Sequence, residues 1–322
     1  MRIIIVGIGA VGGTLAGSLA LAGQDVAAVA RGPMLEALRG KGLTLRTTAG
    51  TRQAQMPVFA SPAEAGIRPD DTILLCTKTQ HTEGALDQLR AAGVEEQPIF
   101  CFQNGVENER LALRRFPNIH AVTVMLPADY VTAGEVVAFG APKLGIFDIG
   151  RYPGGTDAAD EALIAALQTA DFRAWAGESV MASKYGKLLL NLGNIADAAL
   201  PAGELRDRLQ ERLVEEGRAV LKSAGIEAAD VGKADPRRDE FMKIGEVEGV
   251  DRTGSSSTQS LARAAGSIES DFLNGEIALL GRLHGHPAPL NAWAAALGAR
   301  MVRDGMAPQS VPEDEAEAAL AR

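Results

Sequence analysis

At its start the chain runs an apolar stretch, Ile3–Val6, directly into Gly7-Ile8-Gly9-Ala10-Val11-Gly12, after which apolar residues recur at Leu15 and Leu19. A strand that turns through spaced glycines into a helix leaves few folds open. Gly7 permits the tight turn, Gly9 lets the backbone approach a pyrophosphate, and Gly12 lets helix and strand pack closely. The helix start also offers unbonded N–H groups and a positive dipole end to phosphates. The pattern predicts a dinucleotide-binding βαβ unit, with Gly7, Ile8, Gly9, Ala10, Val11 and Gly12 as its phosphate turn. A glycine-rich turn without a ligand is the bland alternative.

The end of the second strand selects the cofactor. An acid there would bind the 2′-hydroxyl of the adenosine ribose, but Val26–Ala30 ends in Arg31. A guanidinium suits a 2′-phosphate through paired hydrogen bonds. The reading is therefore NADP, used as NADPH. A solvated surface arginine is the alternative at this position.

The rest of the first half keeps the same rhythm. Apolar runs at Thr72–Cys76, Ile99–Phe102 and Ala121–Met125 follow those at Ile3–Val6 and Val26–Ala30, with helical patterns at Val11–Ala22 and Thr82–Ala92. Strands alternating with helices imply a parallel sheet. Val136–Phe139 and Lys143–Phe147, separated by Gly-Ala-Pro, read as a hairpin at the sheet edge. Asp157–Thr169 reads as a helix. Beyond Glu178 helical patterns dominate, at Ser179–Leu200, Glu204–Ala224, Thr258–Ala265, Ile268–His284 and Pro289–Asp304. A length of 322 residues suits two domains. The expected fold class is α/β. A Rossmann-type doubly wound parallel sheet over residues 1–177 binds NADP, and an all-α domain over 178–322 binds substrate.

Bulk properties narrow the partners. A net charge of −9 disfavours nucleic acid. No apolar run approaches the ~20 residues that cross a bilayer, and the early glycines interrupt any signal-peptide core. Cys76 and Cys101 have no ligand-like spacing, and the four histidines form no metal-binding set, so no metal is expected. His81, near the expected cofactor cleft, reads first as a surface histidine. The expectation is a cytoplasmic protein without membrane or nucleic-acid partners, its helical domain compatible with a homodimer.

Lys187, Asn191 and Asn194 place polar groups at helical spacing within Lys184–Asn194, an otherwise apolar stretch. A partly desolvated lysine has a lowered pKa suited to proton transfer. The same lysine would also serve as the solvent face of an amphipathic helix. Gly254–Gln259 reads as a loop and helix N-cap, and Glu269 and Asp271 as first-turn acids.

In order along the chain, these pieces resemble the ketopantoate reductase family. They are the glycine turn, Arg31, Lys78, Gln103-Asn104-Gly105-Val106, Lys187-Leu188-Leu189-Leu190-Asn191, Ser256-Ser257, Glu269–Gly275 and His286–Asn291. The resemblance implies NADPH-dependent reduction of a small 2-keto acid. Under it, Lys187 protonates the keto oxygen, and Asn191 binds that oxygen or the distal hydroxyl. Glu269 accepts from the hydroxyl, Ser257 binds the carboxylate, and Lys78 and Asn104 lie by the cofactor. The family's second asparagine is replaced here by Ile195, with Asn194 one residue earlier as a candidate substitute. Another 2-keto or 3-hydroxy acid, an opine-like substrate, and a non-catalytic dinucleotide sensor stay open as alternatives.

Overall fold

A computed structural model describes residues 1–232 and 234–321. It divides into two compact units, Met1–Ser183 with Lys233–Asp251, and Lys184–Gly232 with Arg252–Arg322. The first begins β1 (Arg2–Val6), α1 (Ala10–Leu21), β2 (Val26–Val29), α2 (Gly32–Lys41), β3 (Leu43–Thr47), β4 (Gly50–Ala54), β5 (Val58–Phe59) and α3 (Pro62–Ala65). Then come β6 (Asp71–Leu75), α4 (Thr82–Ala91), β7 (Ile99–Cys101), α5 (Asn108–Leu113) and β8 (Ile119–Met125). It continues through β9 (Ala128–Thr132), β10 (Glu135–Ala138), β11 (Gly140–Pro142), β12 (Gly145–Arg151), α6 (Ala158–Thr169) and β13 (Phe172–Ala176). Helix α7 (Val180–Asn191) leads to α8 (Asn194–Ala199) and α9 (Glu204–Ser223). A return segment carries α10 (Pro236–Phe241) and β14 (Met242–Ile244). Helices α11 (Ser256–Ala262), α12 (Asn274–Leu283), α13 (Pro289–Arg303) and α14 (Glu313–Leu320) complete the chain.

The main sheet has the order β13-β12-β8-β7-β6-β1-β2-β5. Every neighbouring pair is parallel except β8 with β12. Ile3, Ile4 and Ile5 of β1 are fully buried. A strand covered on both faces has no reason to alternate, which is why it reads as an unbroken apolar run. A second sheet, β4-β3-β10-β9, packs on α1 from the other side. Residues Gly12 through Leu19 of α1 are consequently all buried. A helix enclosed on two sides carries no polar stripe.

Two expectations change here. Val136–Phe139 and Lys143–Phe147 do not form a hairpin: β10 pairs in parallel with β3 in the small sheet, whereas β12 lies in the main sheet against β8 and β13. The turn between them instead holds β11, whose partner is β14.

The second change concerns the division near residue 177. The return segment packs with the first unit rather than with the helices that precede and follow it. Charge and aromatic stacking hold it there. The Arg237 guanidinium bonds Asp148 at 2.6 Å and Asp235 at 2.7 Å, and lies 4.7 Å from the Trp175 ring centroid. Phe241 meets Trp175 edge-on at 5.7 Å, and Met242 is buried beside Met125 and Ile146.

The second unit is helical, with one break inside the expected Ser179–Leu200 helix. Helix α7 stops at Asn191, the chain turns through Leu192 and Gly193, and α8 restarts at Asn194. The Leu192 carbonyl, exposed by the break, accepts from Asn274 Nδ2 at 3.1 Å. The same amide donates to Asn291 Oδ1 at 3.0 Å, and Asn291 Nδ2 donates to Leu213 O at 3.0 Å and to Glu216 Oε1 at 2.9 Å. Four helices are thus pinned by one buried amide chain. Among the described residues no helix is long and apolar enough to cross a membrane.

Candidate active site

In the first unit the C-terminal ends of β1, β2 and β6 open onto a cavity of about 410 Å³. Ligands of open α/β sheets bind at such strand ends. Gly7, Ile8 and Gly9 form one wall, Arg31 closes the end of β2, and Cys76 to Lys78 follow β6. Helix α4 contributes Gly84, Ala85 and Gln88.

The glycine turn has the geometry its spacing predicts. Gly7 sits at φ +98°, a region costly for other residues. A Cβ on Gly12 would lie 2.0 Å from the Gly7 carbonyl oxygen and 2.9 Å from Cys76 Cβ. A Cβ on Gly9 would meet nothing within 4 Å. The open space lies at Gly9, next to the start of α1, where a phosphate oxygen would be received. Ala10, Val11 and Gly12 belong to the first turn of α1 itself. Together with Arg31 and Lys78, and with no carboxylate lining the cavity among the described residues, this arrangement fits an anionic dinucleotide.

The loops after β6 and β7 are fixed by a polar network in which Gln103 joins Thr79, Thr82 and Asn108, three residues not singled out from the sequence. Gln103 Nε2 donates to the Thr77 carbonyl at 2.8 Å and to Thr82 Oγ1 at 2.7 Å, and that hydroxyl donates to Asn108 Oδ1 at 2.7 Å. Asn108 Nδ2 donates to the Asn104 carbonyl at 3.1 Å and to Thr79 Oγ1 at 3.2 Å. Thr82 and Asn108 are fully buried. The network orients the chain around Lys78 and Asn104. The only sequence signal was the Gln103-Asn104 pair directly after a strand. Asn104 is half-buried in that turn and does not line the 410 Å³ cavity. Burial pushes the Cys76 thiol up, so it is held neutral.

In the second unit, Lys187 is half-buried on α7 between buried Gly186 and Leu188, and Asn191 one turn on is buried. The helix break removes the straight-helix argument that put Asn194 on their face. Asn194 turns instead to the serine loop, with its Nδ2 3.4 Å from Ser256 Oγ, while Ser255 Oγ donates to the Asn194 carbonyl at 3.1 Å. Asp197 clamps this loop. It accepts from the Ser255 amide at 2.8 Å, from Thr258 Oγ1 at 2.6 Å and from Arg206 at 3.4 Å. Burial alone would raise its carboxyl, but the Thr258 hydroxyl and Ser255 amide hold it below the usual carboxylate range. Ser255 caps α11, and Ser257 inside its first turn is buried. Glu269 is buried ahead of a single 3-10 turn, Ser270–Phe272, so the expected helix from Ile268 begins only at Asn274. Ile195 lies in the apolar core at 1% exposure.

One further set of ligand-type side chains, His120, Asp157 and Asp160, lies together in the first unit. Its members already serve α6. Asp157 and Asp160 form a capping box, His120 Nδ1 is 2.7 Å from Asp160 Oδ1, and the Arg151 guanidinium holds Asp157 at 2.6 Å. A cation there would compete with that guanidinium.

Comparisons with known proteins bear on the family and the fold. Residues 3–154 match the family model of ketopantoate reductase PanE/ApbA, and residues 182–300 match its C-terminal counterpart. A 2-dehydropantoate 2-reductase of Pyrococcus horikoshii is 27% identical over 304 residues, covering 91% of this chain and 96% of the relative. One from Caulobacter vibrioides is 29% identical over 320 residues, covering 92% and 97%. A PanE/ApbA family ketopantoate reductase from Ralstonia eutropha superposes with a TM-score of 0.79 at 27% identity, covering 95% of this chain and 99% of that one. D-mandelate dehydrogenase, solved with NADH and anilino(oxo)acetate, shares the fold at a TM-score of 0.77 and 20% identity, covering 95% and 100%. Matched along both of its parts, this chain belongs to the ketopantoate reductase PanE/ApbA family of oxidoreductases.

Proposed function

We propose that the protein reduces a 2-keto acid, 2-dehydropantoate or a close analogue, to the 2-hydroxy acid with NADPH, the first unit binding the cofactor and the second the substrate. The observation that carries this reading is the cavity at the ends of β1, β2 and β6. It offers the glycine turn and two cations, Arg31 and Lys78, and no carboxylate among its described lining residues. A ribose 2′-hydroxyl would call for an acid at Arg31, whereas a 2′-phosphate calls for a base.

The cofactor supplies hydride to C2 of the substrate. The Lys187 ammonium supplies the matching proton to the keto oxygen, so that one hydride and one proton convert the carbonyl to an alcohol. Before transfer, its charge stabilises the negative charge growing on that oxygen. Asn191, one turn away, donates a hydrogen bond to the same oxygen or to a distal substrate hydroxyl. Ser257 binds the carboxylate and Glu269 accepts from a substrate hydroxyl. Asn104, in the turn after β7, would border the nicotinamide ribose when the cofactor is bound.

NADPH consumption followed with a panel of 2-keto acids tests the reading. Lys187→Met should lower kcat by about 10²- to 10⁴-fold while leaving NADPH binding intact. Unchanged kcat removes Lys187 from proton transfer, and tight NADPH binding without turnover on any keto acid favours the sensor reading. Within 2-keto acids, the burial of Ile195 and the turning of Asn194 toward Ser256 favour a substrate whose distal group differs from the family's usual one. Asn194→Ala should raise KM for the best substrate; unaltered KM and kcat would exclude Asn194 from the site.

A further inference from the structure

The proposed function gives Ser257 the substrate carboxylate but says nothing of what fixes the turn that carries it. Residues 251–253, ahead of that turn, are exposed. Asp197 of α8 holds it instead. Its Oδ2 accepts from the Ser255 amide at 2.8 Å and from the Thr258 hydroxyl at 2.6 Å, so buried Ser257 lies between the two residues it grips. The other oxygen, Oδ1, accepts from the Arg206 guanidinium of α9 at 3.4 Å. All of these residues belong to the second unit.

We infer that Asp197 is a positioning residue, which holds the Ser255–Thr258 turn against α8 so that the Ser257 hydroxyl is already in place when the substrate carboxylate arrives. This rests on the reading of Ser257 given above. A donor that must be ordered during binding gives up affinity to that ordering, whereas one held beforehand does not.

Helix α11 does not need Asp197 for its own sake. Its cap is Ser255, whose Oγ accepts from the Thr258 amide at 3.3 Å and donates to the Asn194 carbonyl at 3.1 Å. The Ser255 amide lies ahead of the helix and the Thr258 hydroxyl is a side chain, so Asp197 bonds no group that the helix leaves orphaned. What its two bonds fix is where the turn sits on α8. Gly254, at φ +106°, admits the carboxylate: a Cβ there would lie 3.0 Å from Asp197 Oδ2. Burial opposes the charge on Asp197, but the Thr258 hydroxyl and Ser255 amide outweigh it, so the group they hold is a full carboxylate. Helix α8 follows α7 directly after the break at Leu192 and Gly193. Asp197 therefore ties the Ser257 turn to the stretch of chain that carries Lys187 and Asn191.

The test is a double-mutant cycle in steady-state kinetics with NADPH and the best 2-keto acid, on wild type, Asp197→Ala, Ser257→Ala and the double variant. Asp197→Ala should raise KM for the keto acid about tenfold, the size of one hydrogen bond to a carboxylate. Its kcat and its dissociation constant for NADPH should stay near the wild-type values. Asp197→Asn, which keeps an acceptor oxygen, should recover most of the loss. Added to Ser257→Ala, the same Asp197→Ala change should raise KM less than about twofold, because no hydroxyl is left to misplace. If Asp197→Ala does not fold, Thr258→Val, which deletes one hydroxyl that Asp197 holds, runs the same cycle with a smaller rise. An unchanged KM in Asp197→Ala overturns the inference. So do equal rises with and without the Ser257 hydroxyl, which would mark a merely structural role, and so does a loss confined to kcat. If Ser257→Ala itself leaves KM at the wild-type value, the assignment of Ser257 falls and this inference with it.

Discussion

Cys76 illustrates how little a residue's position says about its reactivity. It lines the candidate cofactor cavity, yet burial keeps its thiol protonated. The thiolate, not the thiol, is the nucleophile. Native protein treated with a disulfide reagent at neutral pH should therefore leave Cys76 unreacted, and buried Cys101 with it. Both should react on unfolding. Rapid native-state modification of Cys76, read by mass spectrometry, would contradict this. Gly12 makes the opposite point, since here a missing atom matters. An added Cβ would overlap the backbone at Gly7, which cannot swing aside as a side chain could. Gly12→Ala should cost about 1–3 kcal/mol of stability by overpacking and weaken dinucleotide binding at the same time. Chemical denaturation and an NADPH titration check the two effects separately.

Between elements, the contacts hardest to foresee join distant segments. The first βαβ unit was legible because one short stretch holds its whole logic: an apolar run, a glycine turn and a helix start. The small sheet was not, because β10 pairs with β3 across a long sequence separation and nothing local to Val136–Phe139 announces that partner. Strand β13 gave a weak signal, its buried Phe172 and Ala174 alternating with the half-buried Arg173 and Trp175. The break after Asn191 was hidden by an apolar pattern that continues through it. Only Gly193, and the distant Asn274 that caps the freed carbonyl, mark the place. For the site the lesson is similar. Lys187 and Asn191 keep their helical spacing, whereas Asn194 lies past the break with its amide 3.4 Å from Ser256 Oγ. Arg237 supplies the charged anchor of the return segment, beside the Phe241 and Met242 contacts and the β11–β14 pairing. Arg237→Ala leaves Asp148 and Asp235 without their cation and should cost about 2 kcal/mol. Amide exchange in β14 should speed up before that in β1, and equal rates in both would show that the segment is held by other means.

For the whole molecule, acid is the condition to which these ion pairs speak. Asp157, Asp197 and Asp235 are each subject to burial that would raise their carboxyls. In each case hydrogen bonds prevail and lower them: from Arg151 at Asp157, Thr258 and Ser255 at Asp197, and Arg237 at Asp235. A carboxyl lowered in the folded state binds protons more readily when unfolded. Its contribution is complete above the unfolded value and is lost as pH falls toward the folded one. Stability from these groups should be level from about pH 7 to about pH 5 and decline below about pH 4. Urea titrations across that range measure it, and Asp197→Asn should make the decline shallower.

The return segment also bears on how the polypeptide is made. Residues 1–183 leave the ribosome in order, including every strand of the large sheet, but the piece that pairs with β11 and cages Trp175 emerges only after a stretch of the neighbouring helical body has been translated. Until then the nascent first unit exposes the Trp175 face and an unmatched strand edge, both invitations to wrong partners. A gene truncated after codon 177 would freeze the product in that unfinished condition, so stopping translation where the strands stop does not yield the whole first unit.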